Sequence, residues 1–138
     1  MAARISSLCR SRSAIAALTT AGPRSGAWGG SSFMRTDDQP LAYPVAWAQE
    51  EATSFVGSIE DYRNAMEANG FEVLEEINRR DLALEFFKNR KARLTAGGPP
   101  PLGLHIVMGK EAPQKVANMY ASVQRGSIAP VQILSRRR

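Results

Sequence analysis

The chain has 138 residues, 43% of them hydrophobic and 22% charged, with a formal net charge of +5. That length is expected to hold one domain. A single cysteine, Cys9, and a single histidine, His105, exclude an internal disulfide and any multi-cysteine or multi-histidine metal site, and no apolar run approaches the roughly 18 residues that cross a bilayer.

Residues 1–36 contain Arg4, Arg10, Arg12, Arg24 and Arg35 and no acid, so they carry the whole net charge. The basic excess therefore belongs to the ends of the chain and gives no sign of a basic face on a folded body, and no nucleic-acid partner is expected. Residues 1–32 are rich in Ala, Ser, Arg and Gly. Glycine and proline penalise helix and strand alike, so this segment is expected to be disordered, with a transient helix at 3–18. An acid-free stretch rich in Arg and Ser is also the composition of an organelle presequence. A cytoplasmic location is expected, with mitochondrial import as the alternative.

Regular patterning starts after residue 36. Asp37-Asp38-Gln39-Pro40 reads as a turn, and Tyr43-Pro44-Val45-Ala46-Trp47-Ala48 as an extended aromatic loop. Ser58 is placed to cap a helix over 59–69, with Glu60 and Asp61 in its first turn and Gly70 at its end. Phe71 to Ile77 reads as a strand with Phe71, Val73 and Ile77 on one side. Asp81 is expected to cap a second helix running to about Leu94, burying Leu84, Phe87 and Leu94, with Phe86 beside them. Gly97 to Pro101 breaks it. A short apolar piece, 102–108, leads to a helix over 114–125, with Pro113 in its first turn and Gly126 at its end. Val131 to Leu134 is the last expected strand, and Arg136-Arg137-Arg138 reads as a solvated tail.

Residues 58–78, in which a helix ending Glu67-Ala68-Asn69-Gly70-Phe71 leads into a strand, resemble the carboxyl-terminal part of class I S-adenosylmethionine-dependent methyltransferases. The loop Tyr43 to Ala48 resembles the segment after the fifth strand of the ubiquinone-biosynthesis and sarcosine/dimethylglycine type. Residues 103–109 and 113–130 resemble the same enzymes' tail. The resemblance implies an α/β fold. It would be the C-terminal portion of a Rossmann-like sheet, ordered helix, strand, helices, antiparallel strand, over residues 33–138. Phe33 to Thr36 would end the fifth strand and 131–134 would form the seventh, antiparallel to its neighbours.

That family holds its cofactor with a Gly-rich turn after the first strand. Here no two glycines stand at i, i+2. S-adenosylmethionine is thus implied by resemblance alone, and its binding by this chain is not expected. The implied function is the acceptor-side tail of a methyltransferase, truncated and inactive by itself. The alternatives are a small interaction subunit, pairing with a full-length methyltransferase or with itself, and an imported organelle protein. With the first four strands missing, Phe71, Val73, Ile77, Val131 and Ile133 are expected to lose part of their cover, leaving a loosely packed or associated chain.

Three residues are candidates for contact with a methyl acceptor. The resemblance places Tyr43 and Trp47 over an acceptor pocket, the alternative being that they pack the loop onto the core. His105 is a candidate to take a proton from a substrate amine or hydroxyl, as imidazoles do in general acid–base chemistry; a packing role is the alternative. Cys9 has no partner base and is not expected to be a nucleophile. Gly109-Lys110 is followed by Glu111, so it is no phosphate loop. The catalytic residues are not identified, and no metal is expected.

Overall fold

A computed structural model describes residues 27–98 and 102–138. The expectations for residues 1–26, including Cys9, lie outside the described residues. Three strands form one sheet: β1 (Ala27–Arg35), β2 (Phe71–Asn78) and β3 (Ile128–Arg137). Four helices accompany them among the described residues: α1 (Ile59–Ala68), α2 (Arg80–Gly97), the short α3 (Leu104–Met108) and α4 (Ala112–Arg125). The spatial order is β1-β3-β2, and β3 runs antiparallel to both neighbours. β1 and β2 are therefore parallel to each other. Their carboxyl ends, Arg35 and Asn78, lie at the same edge of the sheet as Ile128, where β3 begins.

β1 corrects the expectation of disorder for residues 27–32. Gly29, Gly30, Ser31 and Ser32 are poor strand formers, yet they pair in unbroken register from Ala27↔Arg136 to Arg35↔Ile128. Pairing with a long neighbour overrides local propensity. The closing strand is also longer than expected. Arg136 reaches Glu72 at 3.0 Å, and the Arg137 guanidinium lies 5.9 Å from the Phe71 ring centroid. Two of the three terminal arginines are thus strand residues, with their side chains still exposed to solvent.

Pro130 sits in the central strand, where a missing N–H normally disrupts pairing. Its carbonyl faces the β2 side just beyond the last ladder pair, Asn78↔Val131, and accepts from Arg79 N–H at 2.8 Å. No donor is required of residue 130 at that place. β2 carries an irregularity between Val73 and Glu75. The extra residue, Leu74, reverses the alternation, so Ile77 shares a face with Gln132 while Val73 shares one with Ser135. Ile77 is therefore not on the side of Phe71 and Val73.

α1 covers one face. Met34, Met66, Phe71, Val131 and Ile133 form a buried cluster there, joined by Trp28, Ile59, Tyr62 and Val73. Phe71, Val131 and Ile133 are only 2%, 1% and 0% exposed, which corrects the expected loss of cover at those positions. Ser58 caps α1 reciprocally, its hydroxyl accepting from Asp61 N–H at 3.1 Å while Asp61 accepts from Ser58 N–H at 2.9 Å. On the other face, Leu41, Ala83, Val123 and Ile128 unite the loop after β1 with β3, α2 and α4, and Phe33 of β1, Tyr43, Leu84 and Phe87 pack against them.

Asp81 does not cap α2. That helix starts at Arg80, two residues before the expected Leu82, and Asn78 accepts from Arg80 N–H at 2.9 Å. Arg80 then donates to the Val123 and Gln124 carbonyls at the end of α4, satisfying two acceptors the helix cannot pair internally. Of the expected stripe, Leu84 and Phe87 pack inward, whereas Leu94 is 39% exposed and Phe86, expected in the core, 58%. α4 begins with Pro113 in its first turn and ends at Gly126 with φ +86°, as glycine's freedom permits.

Candidate functional site

Ligands of open α/β sheets gather outside the carboxyl ends of parallel strands. In this chain that edge carries the loop from Thr36 to Ser58. Asp37 accepts from Gln39 N–H at 3.0 Å, the turn expected of it, and from the buried Ser127 hydroxyl at 3.3 Å. Thr36 donates its hydroxyl to the Gly126 carbonyl. The start of the loop is thereby tied to the start of β3.

The aromatic part of the loop is a tight turn. Val45 N–H donates to the Ala48 carbonyl at 2.8 Å, and Ala48 N–H returns to Val45 at 3.4 Å. The Tyr43-Pro44 peptide is cis. Asn118 on α4 donates to the Pro44 carbonyl at 2.9 Å, fastening the turn from beneath. Val45, fully buried, packs with Ala48 and Met119. Trp47 stands on the turn, 36% exposed. Its ring stacks on Phe33 with centroids 5.7 Å apart and planes at 29°, and its indole N–H donates to the Ser54 hydroxyl at 3.1 Å.

Tyr43 is half-buried and packs against both clusters on this face. Tyr43 and Trp47 are thus brought to one place, with Phe33 in contact with both groups. His105 is not joined to them. It lies half-buried on α3, where its carbonyl accepts from Gly109 N–H and its imidazole makes no hydrogen bond or ion pair among the described residues. α3 is held to α4 by Lys115, whose ammonium donates to the Met108 carbonyl at 3.2 Å. Phe33, Ser54 and Asn118 were not singled out in the sequence: Phe33 and Asn118 act through contacts distant along the chain, and the hydroxyl of Ser54, seven residues from Trp47, carries no motif.

A second, shallow depression is lined by Arg63, Glu67, Val73, Leu74, Glu75 and Glu76. Arg63 binds Glu76 through paired bonds of 2.8 and 2.7 Å. The hydrogen bond and charge of Glu76 hold that exposed guanidinium above its ordinary pKa. Among the described residues there is no group of three or more His, Cys, Asp or Glu side chains fit to hold a metal, and no helix long and apolar enough to cross a membrane.

No protein-family model matches the chain, and no curated protein matches it. Solved structures do. A provisionally assigned sarcosine dimethylglycine methyltransferase from Galdieria sulphuraria matches 91% of this chain and 47% of its own, at 14% identity and a TM-score of 0.61. Geranyl diphosphate C-methyltransferase from Streptomyces coelicolor A3(2), in complex with Mg2+, geranyl diphosphate and S-adenosyl-L-homocysteine, matches 93% of this chain and 43% of its own, at 15% identity and a TM-score of 0.60. A mycolic acid cyclopropane synthase complexed with SAH and CTAB matches 93% and 50%, at 14% identity and a TM-score of 0.63.

The chain therefore has the architecture of part of a Rossmann-like methyltransferase, and spans about half the length of the structures it resembles. The described strand ends do not fit S-adenosylmethionine. β1 is followed by Thr36-Asp37-Asp38 and β2 by Arg79-Arg80, with no glycine turn for the backbone to approach a nucleoside. The Asp37 carboxylate is already engaged by Ser127 and Gln39, and no buried side-chain polar atom is left without a partner among the described residues.

Proposed function

We propose that this chain is the acceptor-side part of an S-adenosylmethionine-dependent methyltransferase fold, truncated relative to a whole enzyme, with no cofactor site of its own and no turnover alone. One observation carries the reading. The sheet order β1-β3-β2, antiparallel at both ladders, belongs to an architecture matched over about half the length of the methyltransferase structures. The missing Gly-x-Gly and the poor fit of the strand ends support the absence of a cofactor site.

Tyr43 and Trp47 would face the acceptor, their loop lying at the carboxyl ends of β1 and β2. Trp47 offers an exposed aromatic surface held by Phe33 and Ser54. His105 is the third proposed acceptor contact; in the present arrangement it stands apart on α3. The chain carries no step of methyl transfer that its described residues define. Isothermal titration with S-adenosylmethionine tests the reading. No binding heat at millimolar ligand is expected, and micromolar affinity overturns it.

A second reading is a small interaction subunit that pairs with a complete methyltransferase. The open edge of β1 favours it. Mixing the chain with such an enzyme and weighing the products by light scattering checks it, a stable complex being the expected result. The proposed location is the cytoplasm, or the mitochondrion if residues 1–36 act as a presequence. A reporter fused behind those residues separates the two: a diffuse signal supports the first and a mitochondrial signal the second.

A further inference from the structure

The sheet has two edges, and they differ. β2 carries Glu72, Glu75 and Glu76 and is bulged at Leu74, both devices that keep an edge from recruiting another strand. β1 has neither. From Ala27 to Met34 it is uncharged, contains no proline and is paired without interruption. Its length, nine residues, exceeds that of an ordinary strand.

The hydrogen bonding shows which groups face outward. Thr36 N–H reaches Ser127 on the β3 side, whereas Arg35 N–H points the other way to the Gly57 carbonyl at 2.9 Å. Alternation along an extended strand then directs the N–H and C=O of Ala27, Gly29, Ser31 and Phe33 outward as well. Among the described residues no strand pairs with them. The contact with Gly57 closes the row at Arg35.

We propose that β1 pairs antiparallel with β1 of a second copy of this chain, about a two-fold axis through Gly30. In that register Ala27 stands opposite Phe33 of the copy and Gly29 opposite Ser31. All four outward residues then fall in the narrow, doubly hydrogen-bonded positions of the ladder, and none is left over. Arg35 falls outside the paired stretch, so no like charges meet. On one face the small Gly29 and Ser31 oppose each other. On the other, Trp28 lies opposite Ser32, with Gly30 opposite itself.

A two-fold contact of this kind is isologous and closes at a dimer. Pairing through β2 would instead set glutamates against glutamates. The β1 contact is independent of whether the chain has a cofactor site, so the titration above does not bear on it, but it occupies the same edge as the interaction-subunit reading and excludes a methyltransferase partner there.

Light scattering of the full chain over a range of concentrations tests the pairing. The expected mass is twice the 15.0 kDa of one chain. Ser31→Pro removes an outward donor without touching the β3 ladder, and is expected to give the monomer mass with unchanged circular dichroism. Gly29→Glu with Ser31→Glu keeps every backbone donor and places carboxylates opposite one another. It is expected to give a monomer at low salt, which settles the matter should the proline variant fail to fold. A wild-type chain that stays monomeric overturns the proposal, whether residues 1–26 or solvent cover the edge. So does a dimer that survives the double glutamate variant at low salt.

Discussion

The Trp28 indole lies across Gly30, two residues along the same strand, so closely that a methyl group on Gly30 would collide with the ring. The aromatic ring covers the backbone that glycine leaves bare, a known remedy for glycine in an edge strand. Gly30→Val is therefore expected to push Trp28 off the cluster around Met34 and Ile133. Overpacking of this kind costs about 1–3 kcal/mol. Chemical denaturation checks the loss, and a red-shifted indole emission would locate it.

The α1 cap is a local device with a local cost. Ser58→Ala removes the oxygen that accepts from Asp61 N–H. Loss of such a cap typically costs ~1 kcal/mol. Thermal unfolding is expected to register it, and an unchanged midpoint would mean that packing of Met66 alone holds the helix start.

The Phe33–Trp47 stack joins the loop after β1 to the strand beneath it. A double-mutant cycle of Phe33→Ala and Trp47→Ala is expected to give a coupling of about 0.5–1.5 kcal/mol. Zero coupling would mean that the Ser54 hydrogen bond and the Val45–Ala48 turn position Trp47 unaided.

Core truncation reads whether this half-fold is cooperative. Ile133, fully buried between Met34, Met66 and Phe71, is expected to lose roughly 2–5 kcal/mol on substitution by Ala. Whole domains retain only about 5–15 kcal/mol, so Ile133→Ala should abolish slow hydrogen exchange across both ladders of β3. Protection that persists in one ladder would divide the sheet into independent parts.

Much of this fold was legible because its signals are local. Ser58, Pro113, Gly70 and Gly126 mark helix ends by backbone chemistry, and the apolar spacing of Met119 and Val123 marks a buried face. β1 was not legible. Gly29 to Ser32 reads as part of a disordered segment, and only pairing with residues 131–134, about a hundred positions away, makes it a strand. The bulge at Leu74 leaves no mark in composition, so the side on which Ile77 falls was misread. The last strand was expected only from Val131, and it extends back through Pro130 to Ile128 because the missing donor faces a place where β2 has ended.

The site was legible in part for the same reason. Tyr43 and Trp47 stand out as aromatics around a proline in a loop, and that loop lies at the carboxyl ends of β1 and β2. What holds them, Phe33, Ser54 and Asn118, comes from three separate segments. His105 drew notice only as the sole imidazole, and its place on α3 keeps it from the loop.

The proposed absence of a cofactor site in this half of the fold is tested most directly by titrating S-adenosylmethionine into the isotope-labelled full chain and following its amide resonances. Resonances from Thr36 to Trp47, and those of Arg79 and Ser127 at the same sheet edge, are expected to stay in place at millimolar ligand. Saturable shifts of those amides at micromolar ligand would contradict it.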